Sequence, residues 1–221
     1  GGDGGILVEL FKHRSVKRAV VVEIDGRVVE VSREHLQSIC RSAWDDPRVE
    51  LHIADGRKYV EESQETFDAI ILDLTDPIGP SKLLYTREAY QHLSQRLAGT
   101  GVVATHAGGW FHNPKVTGSV VATLRSAFRH VAVFPAHVPS YGMEIAFTYA
   151  ARNVDVASFP SETFAARYAA LSDGAEIRYV TAEFAQHVAF QPALMQEYLR
   201  SCDRVSTDER PLEFTDYYDW G

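Results

Sequence analysis

The chain has 221 residues, 45% of them hydrophobic and 24% charged, a composition typical of a globular domain. Its 22 basic and 30 acidic side chains give a formal net charge of −8, and without a cluster of Lys or Arg we expect it to bind neither nucleic acid nor an acidic membrane surface. Two cysteines form no disulfide framework or metal motif, and no apolar run reaches the roughly eighteen residues that span a bilayer, so we expect a reducing, cytoplasmic setting.

The chain begins with the glycine-rich stretch GGDGG, Gly1 to Gly5. Such a loop normally follows a strand and begins a helix, and ILVELFKH directly after it predicts a short helix. No strand precedes the loop, so we expect the chain to be a piece of a longer protein, with the first central strand of its sheet missing here.

Apolar runs alternate with helical spacing along the next part of the chain. Strands are predicted at 19–25, 49–56, 67–74, 101–107, 130–138 and 144–151, the last two forming a hairpin around PSYGM. Helices are predicted at 27–39, 86–97, 114–128, 161–171 and 192–200. This alternation predicts a doubly wound α/β domain over residues 1–151, with a helical extension over 152–221 packed on it. STDERP, residues 206–211, is predicted as a solvated loop.

Acidic side chains fall where the predicted strands end, the edge at which such sheets bind ligands. These acids are Glu23, Asp25, Asp55, Asp73 and Asp76, and Asp3 in the glycine-rich loop is expected at the same edge. An acid about twenty residues after a glycine-rich loop is typical of ribose binding, which favours Glu23; Asp25 is interpreted as a turn or N-cap residue. Gly1, Gly2 and Gly4 let the backbone approach a nucleoside, and Asp55 with Gly56 is expected at its adenine amino group.

Asp3 distinguishes this loop from one that binds a dinucleotide. A carboxylate here repels a pyrophosphate but attracts a cationic tail. The loop therefore favours a nucleoside that carries positive charge, such as a sulfonium of the S-adenosylmethionine kind.

Asp73 and Asp76, in DLTDPIGPS, form a second pair of acids. A free amine has a pKa of about 10.4 and arrives protonated, so it must lose a proton before it attacks a carbon beside a sulfonium. Two neighbouring carboxylates suit this reaction, because one anchors the ammonium group and the other acts as general base.

Structural interpretations compete with these functional ones. DPIGP is also a tight turn, Tyr85 and Trp110 are interpreted as core aromatics, and Tyr141 is left open between core and pocket. His106, His112 and His137 have no metal-ligand spacing, and we interpret them as structural.

The motifs GGDGG, VVEIDGRVVEVSREHL, ADGRKYV and DLTDPIGPSKLLYTREAY occur in an order that resembles the polyamine aminopropyltransferases, the spermidine and thermospermine synthase family. The resemblance covers Gly1 to about Ala150. It implies a Rossmann-like fold of the class I S-adenosylmethionine-dependent methyltransferase type. It also implies decarboxylated S-adenosylmethionine as co-substrate, no tightly bound cofactor, and a polyamine as the acceptor.

The resemblance also implies a role for each motif residue. Asp3 meets the amine of the donor, Glu23 its ribose and Asp55 its adenine. Asp73 is the catalytic base, Asp76 the amine anchor, and Tyr141 a pocket wall. THAGGWFHNP and HVPSYGMEIAF resemble the thermospermine synthase branch more than animal spermidine synthases.

Two departures from the family are visible. His106 stands where the family usually has glutamine, and a neutral imidazole there can still hydrogen-bond an amine. The β-rich N-terminal segment of the family, through which its members often form dimers or tetramers, is missing here. An amine N-methyltransferase of the same fold and a catalytically silent homologue remain as alternatives.

Overall fold

The computed structural model describes residues 1–157, 161–172, 181, 191–213 and 216. The chain divides into two compact units. The first is Gly1–Glu62 with Glu162–Thr181, and the second is Ser63–Ser161 with Ala182–Gly221. The predicted boundary between residues 151 and 152 stays a prediction.

The first unit contains a two-stranded parallel sheet and short helices. Its elements are α1 Gly5–Leu10, β1 Ala19–Glu23, α2 Gly26–His35, α3 Gln37–Cys40, β2 Val49–Ile53 and α4 Gly56–Glu62, with a 3-10 turn at Ala43–Asp45 and helix α7 Ser161–Ser172. Apolar side chains of α1, β1, α2 and α3 pack with the 3-10 turn in one core, formed by Leu7, Ala19, Val29, Cys40, Ala43 and Trp44.

The second unit contains a four-stranded sheet of order β3-β4-β6-β5. Its elements are β3 Phe67–Ile71, a 3-10 segment Gly79–Tyr85, α5 Arg87–Gln95, β4 Leu97–Gly109, α6 Pro114–Ala127, β5 His130–Val138, β6 Met143–Ala151 and α8 Ala193–Ser201. β3 and β4 are parallel, whereas β6 runs antiparallel to both β4 and β5. The predicted hairpin of the last two strands is therefore confirmed.

The order and type of the predicted strands and helices are confirmed, with four differences. The strands fall into two sheets rather than one. The helix predicted at 27–39 is divided at Leu36, whose backbone leaves the helical region. Helix α4 is not among the predicted helices, because a segment of only seven residues gives little periodic signal. β4 begins four residues before the predicted strand, at Leu97.

STDERP is not the fully solvated loop that its composition predicts. Ser206 is completely buried, and its backbone N–H donates to Thr123 Oγ1 at 2.9 Å. Its carbonyl accepts from the N–H of Arg87 at 2.8 Å, and the Thr86 hydroxyl donates to Asp208 at 2.6 Å. These bonds hold the segment against the start of α5, although residues 208–210 are exposed.

Both cysteines are free thiols, Cys40 buried and Cys202 half-buried. Over the described ranges, no helix combines the length and apolar character needed to cross a bilayer.

Helices α6 and α8 pack closely because Gly118 has no side chain. A Cβ atom added at Gly118 would lie 2.5 Å from the Cβ of Cys202 and 3.1 Å from its Sγ. We expect Gly118→Ala to lower the free energy of unfolding by about 1–3 kcal/mol through this overlap, as measured by urea denaturation.

Gly99→Ala is the matched control, because a Cβ at Gly99 meets nothing within 4 Å. We expect it to change the free energy of unfolding by less than about 0.5 kcal/mol. Equal stability of the two variants contradicts the close packing of α6 on α8.

Candidate active site

The glycine-rich loop of the first unit leads directly into α1. Gly4 has φ +77°, in the left-handed region, and is the N-cap of α1. Asp3 Oδ1 accepts a hydrogen bond from the N–H of Gly5 at 2.7 Å. Asp3 is half-buried, and this bond engages one of its two carboxylate oxygens, so the side chain has a fixed direction at the start of the helix.

Glu23 lies at the end of β1, beside the glycine loop. A Cβ atom at Gly2 lies 3.1 Å from Glu23 Oε2, so the loop backbone passes directly over this carboxylate. The structure therefore brings together two of the predicted nucleoside-binding residues. Because Gly2 has no side chain, it leaves room for the Glu23 carboxylate.

Asp55 follows β2 at the same edge as Glu23. The parallel register pairs Glu23 with Ile53, and the N–H of Ala54 donates to the Glu23 carbonyl at 2.9 Å. Asp55 is exposed, and its Oδ1 accepts from the N–H of Arg57 at 2.7 Å, at the start of α4. Parallel pairing thus aligns the two strand ends that carry the predicted ribose and adenine contacts.

Asp25 has the structural role predicted for it. It is the N-cap residue of α2, and its Oδ1 accepts from the N–H of Arg27 at 2.9 Å. Its own N–H donates to Glu23 Oε1 at 3.0 Å, which fixes the direction of the Glu23 side chain.

Two buried side chains that support the glycine loop were not predicted from the sequence. A Cβ at Gly4 would overlap the indole nitrogen of Trp44 and lie 3.0 Å from the Cβ of Cys40. Both side chains are buried, and Arg41 between them has φ 48° and ψ −133°, a strained backbone for a residue with a side chain. Trp44 lies outside the predicted helices and strands, so no periodic pattern in the sequence predicts that it packs against the glycine loop.

The acids of the second unit follow β3. Asp73 is exposed and Asp76 half-buried. The Ser81 hydroxyl lies 2.7 Å from the Asp76 carbonyl oxygen, and the hydroxyl of Thr75 donates to Ser81 Oγ at 3.1 Å. DPIGPS is thus a tight turn, as its Pro and Gly residues predict. It also carries Asp76, one of the predicted site residues.

His106, in β4, lies close to one of these acids. Its Nδ1 is 3.9 Å from Asp76 Oδ1, so the structure brings together two residues predicted for the acceptor amine. Tyr141, in the turn between β5 and β6, is 66% exposed. The role predicted for Tyr141 as a pocket wall stays a prediction.

The interpretation of Tyr85 and Trp110 as core aromatics is confirmed. Tyr85 is completely buried and Trp110 is 6% exposed, with its indole N–H donating to Glu144 Oε2 at 3.0 Å. Burial raises the pKa of the Tyr85 hydroxyl, and the negative charges of Asp76 and Asp73 raise it further. A hydrogen bond with the Thr105 side chain lowers the pKa and offsets part of this increase.

Within the described part of the chain, no group of three or more His, Cys, Asp and Glu side chains is arranged to hold a metal ion. The predicted site residues thus form two sets. Those for the donor lie in the first unit and those for the acceptor amine in the second.

Comparison with known proteins identifies the family. Residues 1–158 match the Spermine/spermidine synthase domain. The polyamine aminopropyltransferase of Korarchaeum cryptofilum is 34% identical over 213 residues, which cover 96% of this chain and 66% of that protein. That of Sulfurisphaera tokodaii is 32% identical over 214 residues, covering 96% of this chain and 70% of that protein. The chain belongs to the spermine/spermidine synthase family.

Solved structures agree with this assignment. A spermidine synthase crystallised with the transition state analogue AdoDATO superposes with a TM-score of 0.82 at 29% identity, over 91% of this chain and 67% of that one. Spermidine synthase from Thermotoga maritima gives a TM-score of 0.80 at 28% identity, over 91% of this chain and 66% of that one. The predicted family and fold class are confirmed. The chain spans about two thirds of the length of these relatives.

Gly4→Ala tests the support beneath the glycine loop. The new methyl group would overlap Trp44 and Cys40, and the alanine would have to adopt φ +77°. We therefore expect a loss of about 2–4 kcal/mol in the free energy of unfolding, measured by urea denaturation.

Gly142→Ala is the control for backbone strain alone, because Gly142 has φ +63° and its Cβ position is open. We expect it to lose only about 1–2 kcal/mol. A Gly4→Ala variant as stable as Gly142→Ala argues against close packing of the loop on Trp44.

Proposed function

We propose that the full-length protein transfers an aminopropyl group from decarboxylated S-adenosylmethionine to a polyamine. The acceptor nitrogen attacks the aminopropyl carbon bonded to the sulfonium, the C–N bond forms as the C–S bond breaks, and sulfur leaves as the neutral thioether of methylthioadenosine. The attacking nitrogen gives up a proton to a base. Neither a metal nor a tightly bound cofactor is needed for this displacement.

The observation that carries the proposal is the placement of acids after consecutive parallel strands. In the first unit, Glu23 and Asp55 lie at paired strand ends, and Asp3 lies in the loop that passes over Glu23. We assign the ribose hydroxyls to Glu23, the adenine amino group to Asp55 and the donor's ammonium tail to Asp3. Gly1, Gly2, Gly4 and Gly56 let the backbone approach the nucleoside.

In the second unit we assign the general base to Asp73 and the ammonium anchor to Asp76. Asp73 is the more exposed of the two, which suits a group that must pass its proton on to water. The tight turn after Asp76 limits the movement of this residue, which suits an anchor for an ammonium group. We assign Tyr141 to the wall of the acceptor pocket, and His106 to the acceptor side because its ring lies beside Asp76.

Asp3 favours this reaction over methylation by S-adenosylmethionine. The methyl donor keeps a carboxylate on its tail, which Asp3 would repel, whereas the decarboxylated donor presents only an ammonium group. A tetraamine or triamine product, a homodimer or homotetramer, and a cytoplasmic location stay predictions.

Asp73→Asn tests the assignment of the base. The amide cannot take the proton of the attacking amine, so we expect kcat to fall by about 10²–10⁴-fold. The full-length protein is offered decarboxylated or intact S-adenosylmethionine with a panel of diamines and triamines, and products are identified by mass spectrometry.

Asp68→Asn is the matched control, because Asp68 is an exposed acid within β3, five residues before Asp73. We expect it to keep wild-type activity. A methylated product contradicts aminopropyl transfer and favours the methyltransferase, and no product from either donor favours the silent homologue.

A further inference from the structure

The His106 ring is fully engaged by the protein. The N–H of Gly108 donates to Nδ1 at 3.2 Å, and Nε2 lies 2.9 Å from the Leu74 carbonyl oxygen. A nitrogen that accepts a hydrogen bond carries no proton, and a carbonyl can only accept. These partners assign the neutral tautomer with its proton on Nε2, which donates to Leu74.

The Tyr85 hydroxyl holds the next carbonyl along the chain. It donates to the Thr75 carbonyl at 3.1 Å and lies 3.2 Å from His106 Nε2. The two rings pack edge to face with their centroids 6.1 Å apart. Because burial raises the pKa of Tyr85, its hydroxyl remains protonated and keeps its role as donor.

The two carbonyls belong to Leu74 and Thr75, the only residues between Asp73 and Asp76. β3 ends at Ile71, so the peptide groups that carry both acids lie beyond the strand. The directions of these peptide groups determine where the Asp73 and Asp76 side chains point.

We propose that Tyr85 and His106 are positioning residues that hold the Leu74 and Thr75 carbonyls and thereby aim the Asp73 and Asp76 carboxylates. This inference rests on the proposed function of the two acids. His106 acts here through the protein backbone, since neither ring nitrogen is left for a substrate amine. Displacement of a reacting group by about 1 Å is enough to slow a reaction by up to about a hundredfold, so a small change here has a measurable effect.

Tyr85→Phe is the decisive variant, because it removes one hydroxyl and keeps the buried ring. We expect kcat for aminopropyl transfer to fall by about tenfold to a hundredfold, while the Kd for methylthioadenosine stays within about twofold, since the donor residues are untouched. Kinetics and calorimetry on the full-length protein give the two quantities separately.

Tyr90→Phe is a closely matched control. Tyr90 is also completely buried, but its hydroxyl has no hydrogen-bond partner among the residues that the structure describes. We expect its kcat to stay within about twofold of wild type, because the hydroxyl holds nothing. Equal kcat values for the two variants overturn the proposal, as does a loss of methylthioadenosine binding in Tyr85→Phe.

A pair of substitutions at His106 tests the second contact. Glutamine retains an N–H that can donate to the Leu74 carbonyl, whereas alanine retains none. We expect His106→Gln to keep at least about ten times the kcat of His106→Ala. Equal kcat values in this pair exclude the bond to Leu74 as the reason for the effect.

Crystal structures of Tyr85→Phe and Tyr90→Phe provide a readout that does not depend on activity. We expect residues 73–76 to move by about 1 Å in Tyr85→Phe and not in Tyr90→Phe. An unmoved segment in Tyr85→Phe overturns the positioning role. A wild-type protein that makes no aminopropyl product contradicts the proposed function instead, and the two failures are thereby distinguished.

Discussion

One local interaction recurs among the acids of the predicted site in the first unit: a carboxylate accepts a hydrogen bond from the backbone N–H two residues further along the chain. It occurs at Asp3, Glu23, Asp25 and Asp55, with distances of 2.7–3.0 Å. The N–H groups at the start of a helix have no partner within the helix, so these acids satisfy them. Each bond engages one carboxylate oxygen, and the same side chain can therefore order a loop and bind a ligand.

The second unit fixes its acids in a different way. Asp73 and Asp76 lie in a turn beyond β3, and the contacts that order this turn are made to its backbone carbonyls. The Tyr85 hydroxyl donates to the Thr75 carbonyl, and the His106 ring to the Leu74 carbonyl. The Ser81 hydroxyl donates to the Asp76 carbonyl. These hydrogen bonds order the backbone of the segment that carries both acids.

Much of the fold follows from local sequence patterns. Apolar runs closed by acids predicted the strands, and the Thr86 hydroxyl accepts from the N–H of Ala89 as expected of an N-cap residue before a helix. Two short elements were predicted less well. Helix α4 is only two turns long, and the break at Leu36 lies within a continuous helical pattern, so neither gives a strong periodic signal.

The sequence by itself determined the family and the order of the elements and predicted the acids of both sets, because motif spacing and the alternation of strands and helices are local properties of the chain. The tertiary structure decided what surrounds these acids. Trp44 packs against Gly4, forty residues away in the sequence, and His106 of β4 hydrogen-bonds the Leu74 carbonyl beyond the end of β3. Ser206 is buried in a segment whose composition predicts solvent exposure. These contacts join residues distant in sequence, and side-chain packing across separate elements leaves no spacing pattern in the chain.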